Sequence, residues 1–252
     1  KKIIKLTEAG HSVKHAATLV QQQAEESIES PETHTDQTNY FLLALEEAGV
    51  VADDKKILHL LEQAHHLFGV EATMEQIIVP FLRRIGELWC EKKWGEYQEA
   101  VSSQTIRDFL ANLRRHFYIP ENAPLVVGSC LPNERHEIPM QILLVQCMLR
   151  GYRTLMLGPA PAPTAIESTV SLASPAIVLL TASTHAVWED NGEALRALDA
   201  FAKTMPHIKF FIGGAGVKNI VQQFELEAIQ EAHSLHEVFS ETEKAGIFHR
   251  TI

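Results

Sequence analysis

From Pro120 onward the chain changes character: short β-branched or apolar runs alternate with amphipathic stretches. The runs are Leu125–Gly128, Thr154–Leu157, Ala176–Leu180 and Lys209–Ile212, and helical patterns cover about 138–150, 164–173, 192–204 and 216–224. Strand, helix, strand at this spacing predicts a parallel sheet closed by right-handed crossovers, so residues 120–252 read as an α/β domain. Ligands of such sheets bind outside the carboxyl ends of the strands. The loops that follow the strands are therefore where chemistry is expected.

Upstream of Pro120 the pattern is helical. Four helices are expected at about 38–49, 53–68, 73–93 and 96–117, with Gly49, Gly69 and Gly95 near their ends. Short loops favour antiparallel neighbours, so residues 38–119 read as a four-helix bundle. The polar, acidic stretch 21–37, QQQAEESIESPETHTDQ, reads as a linker. Residues 1–20 carry Lys1, Lys2, Lys5 and Lys14 against Glu8, and two apolar faces broken at Ala9-Gly10-His11-Ser12. That piece is too short to bury a core by itself.

Composition narrows the function. A formal net charge of −10 excludes the bulk of the chain as a nucleic-acid surface. Cys90, Cys130 and Cys147 form no C-x-x-C pair, which favours a reducing compartment. The chain shows no signal-peptide pattern at its start and no apolar run near the roughly 18 residues of a spanning helix, so a cytoplasmic protein away from membranes is expected. His65-His66 and His233-x-x-His236 lack zinc spacing. Neither a phosphate-binding P-loop nor a G-x-S-x-G elbow is present, and no enzymatic activity is expected.

Three loops stand out. The first, Ser129-Cys130-Leu131-Pro132-Asn133-Glu134-Arg135-His136-Glu137-Ile138-Pro139, follows the first strand and opens a helix. A metal-bound imidazole commonly gives its other N–H to a carboxylate, and Glu134 is two residues away. The second, Thr181-Ala182-Ser183-Thr184-His185, offers small hydroxyl side chains after the third strand. The third, Gly213-Gly214-Ala215-Gly216, permits close backbone approach. Together, Glu134-x-His136-x-x-Pro139, Thr181-x-Ser183 after 41 intervening residues, and Gly213-Gly214 about 30 residues further resemble the cobalamin-binding domain of methionine synthase, methylmalonyl-CoA mutase and their relatives. The family pattern is D-x-H-x-x-G, S-x-L and GG, so Glu134, Pro139 and Ser183 are departures. The resemblance implies a flavodoxin-like (Rossmann-like) sheet with His136 as the lower axial ligand of cobalt. Glu134, Thr181, Ser183, Gly213 and Gly214 would surround the cofactor.

The helical half extends the resemblance. Trp89, nine residues and then Glu99 are similar to the Trp–x9–Glu–His signature of CarH-type light-dependent repressors, with Ala100 in place of the His. In that family the Trp and Glu cover the upper face of adenosylcobalamin, and the residue after the Trp is a His, here Cys90. Residues 3–19 resemble the end of a MerR-type DNA-binding domain, so 1–20 is expected to be its remnant. The resemblance implies a MerR-family transcriptional regulator with a light-sensing cobalamin domain. Adenosylcobalamin would sit between bundle and sheet and control oligomerisation, as dimer or tetramer, and DNA binding through an N-terminal part largely missing here. Two alternatives stand beside it: a corrinoid carrier for a methyltransferase, and a regulator whose domain no longer binds cobalamin.

Overall fold

The computed structural model describes residues 31–184 and 192–244. These fall into two compact units, one ending at Val101 and the other starting at Ser102. The expected remnant at 1–20 lies outside the described residues, as does His185. Among the described residues no helix is long and apolar enough to cross a membrane.

The first unit is helical: α1 (Pro31–Val50), α2 (Asp54–Ala72), a π-helical stretch (Thr73–Ile78), α3 (Val79–Cys90) and the start of α4 (Glu96–His116). Residues 31–37 therefore belong to α1 and not to a linker, a correction to the expected boundary. Their polar composition hid the helix, while proline is well tolerated in a first turn. Asp53 caps α2, its side chain accepting from Lys56 N at 3.0 Å. At Gly69 the backbone leaves helical geometry with φ +80°, which breaks α2 where the glycine was expected between elements. The core gathers Leu45, Ile57, Leu61, Met74, Ile77, Ile78, Phe81 and Ile85. Arg84 reaches Glu46 on α1 through Nε at 2.8 Å and Nη2 at 3.1 Å.

After α3 the chain turns and tucks Trp94 into this core, only 5% exposed. The Cη2 edge of its ring occupies the space that a side chain at Gly49 would fill. Gln98 then ties the ends of two helices: its Oε1 accepts from Gly95 N at 2.6 Å and its Nε2 donates to Val50 O at 2.8 Å.

The second unit holds the remainder of α4 and five parallel strands: β1 (Leu125–Cys130), β2 (Arg153–Met156), β3 (Ile177–Thr181), β4 (Lys209–Gly213) and β5 (Ile229–Glu231). Their order is β2-β1-β3-β4-β5. The connecting helices are α5 (Ile138–Leu149), α6 (Pro163–Ala173), α7 (Glu193–Lys203) and α8 (Ile220–Gln223), with α9 (Leu235–Lys244) at the end. Strand side chains alternate between two cores. Val126, Ile177, Leu179 and Phe211 meet α5 and α9, while Val178, Leu180, Phe210 and Ile212 meet α6 and α7. This is a helical segment followed by the doubly wound sheet expected from the sequence.

Two details differ. The helix expected at 216–224 is only Ile220–Gln223, because the residues before it form the turn that leaves β4. β5 was not expected. It is set by Asp199 on α7, whose carboxylate accepts from Glu227 N (3.1 Å), Ala228 N (2.8 Å) and Ile229 N (2.9 Å). Burial would raise the Asp199 pKa, but these amides and Lys203 outweigh it and hold the carboxyl below its ordinary value.

A Cβ at Gly49 would lie 2.2 Å from the Trp94 ring. Gly49→Ala should therefore cost about 1–3 kcal/mol of stability through overpacking, measured by urea unfolding. A loss below about 0.5 kcal/mol, the range of a neutral surface change, would contradict this packing.

Candidate functional site

Strand order builds the site. β1 and β3 are neighbours, and the connections that leave their carboxyl ends, to β2 and to β4, run in opposite directions and open a crevice between them. The register pairs Cys130 with Thr181 and Thr181 with Gly213, which aligns the last residues of β1, β3 and β4. Their loops are then joined directly: Leu131 N donates to Thr181 O and Ala182 N to Gly213 O, both at 3.0 Å.

Glu134 organises this edge. Its side chain is fully buried, yet every contact to it is a donor. Oε1 accepts from His136 N at 2.8 Å and His136 Nδ1 at 2.7 Å. Oε2 accepts from Ser183 N at 2.5 Å and Thr184 N at 3.1 Å. Its own carbonyl accepts from Ala160 N at 2.7 Å, which attaches the loop after β2 as well. Burial pushes the Glu134 carboxyl up, but the His136 amide, the Ser183 amide, the His136 ring and the Thr184 amide together pull it below its ordinary value. Glu134 is thus a buried anion whose desolvation is offset by charge-assisted hydrogen bonds.

This fixes the chemistry of His136. An ionised carboxylate only accepts, so Nδ1 must carry the proton and Nε2 presents its lone pair. The His136 side chain is 61% exposed, and Nε2 has no hydrogen bond among the described residues. An oriented imidazole with a carboxylate behind it and a free lone pair in front suits a borderline-soft metal centre. Among the described residues no cluster of three or more His, Cys, Asp or Glu could hold a bare metal ion. The edge thus offers a single oriented imidazole donor.

The other expected residues are placed as follows. Thr181 is buried and its hydroxyl points to the Cys130 thiol at 3.8 Å, so it shapes the strand end from inside. Ser183 is half-buried and contributes its amide to Glu134. Gly213 ends β4, and Gly214 is exposed with φ +119°. A Cβ on Gly214 would fall within 2.3 Å of Ala182 O, so only glycine lets the β4 loop lie on the β3 loop. Pro139 occupies the first turn of α5 and is exposed, a position that suits proline.

Trp89, Cys90 and Glu99 belong to the helical unit. Trp89 is 51% exposed and Cys90 exposed at the end of α3, while Glu99 is half-buried in the first turn of α4. Burial pushes the other thiols up, Cys130 to about 11 and Cys147 to about 12, which leaves them protonated and inert.

Sequence reasoning missed the amide contacts of Glu134, because they come from a loop 49 and 50 residues away. They carry a pH dependence. The stability that Glu134 contributes is complete above the ordinary carboxylate range and is lost as pH falls through its lowered folded pKa. Glu134→Gln, which turns an amide donor toward backbone donors, should destabilise by about 2–4 kcal/mol at neutral pH. The gap to the native protein should narrow on acidification, measured by urea unfolding at successive pH values. A gap that stays constant into strong acid would contradict the charge assignment.

Residues 43–114 match the family model described as B12 binding domain. No curated protein matches the chain by sequence. Among solved structures, the monomethylamine corrinoid protein of Methanosarcina barkeri is similar at 15% identity and TM-score 0.56, over 81% of this chain and 95% of that one. A cobalamin-binding protein from Desulfitobacterium hafniense DCB-2 is similar at 16% identity and TM-score 0.41, over 81% and 97%. The methanol:cobalamin methyltransferase complex of Methanosarcina barkeri is similar at 16% identity and TM-score 0.42, over 91% and 92%. The helical segment of this chain thus matches a B12-binding domain model, and helical segment and parallel sheet together share the fold of that monomethylamine corrinoid protein.

Proposed function

We propose that the protein binds a cobalamin over the carboxyl edge of its sheet, with His136 Nε2 as the lower axial ligand. The observation that carries this reading is the Glu134–His136 pair, which leaves Nε2 as the free ligand atom. The B12-binding family match of the helical segment supports it. Cobalamin supplies a cobalt centre with two axial positions. The residues of this chain orient the imidazole, accept its Nδ1–H at the Glu134 carboxylate and keep the strand-end loops together. Ser183, Gly213 and Gly214 line the site, with Gly214 admitting close backbone approach, and Thr181 shapes the strand end beneath them.

The fuller reading is a light-responsive transcriptional regulator that uses adenosylcobalamin. Its support is the similarity of Trp89 and Glu99 to the upper-face residues of CarH-type repressors, and of residues 3–19 to the MerR-type domain end. The Trp89 indole and Cys90 are both exposed at the end of α3. DNA would be the partner, and oligomerisation the output. A corrinoid carrier serving a methyltransferase is the second reading, favoured by the fold shared with a corrinoid protein.

Mixing with adenosylcobalamin in the dark, gel filtration and absorption spectroscopy test the shared part. A corrin spectrum should co-elute with the protein, and His136→Ala should weaken retention at least about 10-fold. Failure to retain any corrin would contradict the proposal. A fall in mass on illumination supports the regulator. Light-independent mass with co-purification of a methyltransferase supports the carrier.

A further inference from the structure

The turn that joins α3 to α4 begins at Trp89 and ends at Glu99, the two residues similar to the upper-face pair. Hydrogen bonds close it from the α3 side. Lys92 adopts a left-handed conformation, φ +56°. Lys93 N then donates to Leu88 O at 2.9 Å and Lys92 N to Trp89 O at 3.0 Å, the two bonds of a Schellman motif. Trp94 N adds a bond to Leu88 O at 3.1 Å, and its side chain is buried in the core of the helical unit. The backbone of Trp89 is thus bonded to the turn that follows it.

The α4 side is held by one side chain. Gln98 is the third residue of α4. Its Oε1 reaches back to accept from Gly95 N at 2.6 Å, which is the return half of a capping box. Glu99 N donates to Gly95 O at 3.4 Å, so Glu99 takes its place in the helix from the same glycine. The other end of the Gln98 amide reaches α1, where Nε2 donates to Val50 O at 2.8 Å. Val50 is the last residue of that helix, and its carbonyl has no partner within the helix. Gln98 is only 8% exposed, so water does not readily replace either bond.

We infer that Gln98 is a positioning residue for the upper face of the bound cobalamin. By tying Gly95 to Val50 it fixes the turn against α1, and with it the separation of Trp89 and Glu99. Gln98 acts through the turn and not on the ligand. An organic upper ligand then meets a surface ordered beforehand, whereas ordering that surface on binding costs affinity. A cobalamin with a small upper ligand makes no such demand. This role rests on the reading of Trp89 and Glu99 as upper-face residues.

The test compares Gln98→Ala, which loses both bonds, with Gln98→Glu, which keeps the acceptor for Gly95 N and loses the donor to Val50 O. Affinities are measured in the dark for adenosylcobalamin and hydroxocobalamin. In Gln98→Ala the adenosylcobalamin affinity should fall on the order of 10-fold, the size of one lost buried hydrogen bond, while that for hydroxocobalamin stays within about 2-fold. Gln98→Glu should fall between Gln98→Ala and the native protein. Equal losses for both cobalamins would mean a structural role only and would overturn the inference. In the cobalamin-free protein, the ¹H–¹⁵N signal of the Trp89 indole, identified by its absence from Trp89→Phe, should shift or broaden in both Gln98 variants. If the native protein takes up no cobalamin, the cofactor reading fails, and this signal alone decides whether Gln98 holds Trp89. If Gln98→Ala does not fold, Gln98→Glu carries the comparison. An indole signal that coincides with the native one in a folded variant would overturn the coupling of Gln98 to Trp89.

Discussion

The Glu134 carboxylate is the point on which the functional edge depends. A buried anion without donors would cost more than a domain of this size can offset. Here the donors come from two loops at once, the amides of Ser183 and Thr184 and the amide and ring of His136. The same four bonds that make the burial tolerable also set the imidazole tautomer. Stability and ligand chemistry are therefore one arrangement, and neither can be altered without the other.

The sheet order makes that arrangement possible. With β1 between β2 and β3, the loop after β1 meets the loops after β2 and β3, and Ala160 joins Glu134 as well. Thr181 and Gly213 lie at matching heights because β1, β3 and β4 are in parallel register. Residues distant in the chain become neighbours through backbone pairing. Gly214 then allows the β4 loop to rest on Ala182 without a side chain between them.

Much of this was legible in the sequence. The strands β1, β3 and β4 are apolar runs because both of their faces are covered, and their periodicity announces them. The loop after β1 that holds His136 was legible from the strand and helix patterns on either side of it. β5 was not, because its three residues contain a single buried side chain and its position is dictated by Asp199 on α7. The start of α1 was hidden by a proline and six polar residues that resemble a linker. Gln98, which joins α1 to α4, and the amide contacts of Glu134 were invisible because single polar residues give no periodic signal.

The proposed function rests on a bond from His136 Nε2 to cobalt. Electron paramagnetic resonance of cob(II)alamin bound to protein labelled with ¹⁵N-histidine reads the axial nitrogen directly. Unlabelled protein should show triplet superhyperfine splitting from a single ¹⁴N, and the labelled protein should show a doublet. A triplet that persists after labelling would mean that the cofactor keeps its own base, and would contradict His136 as the ligand.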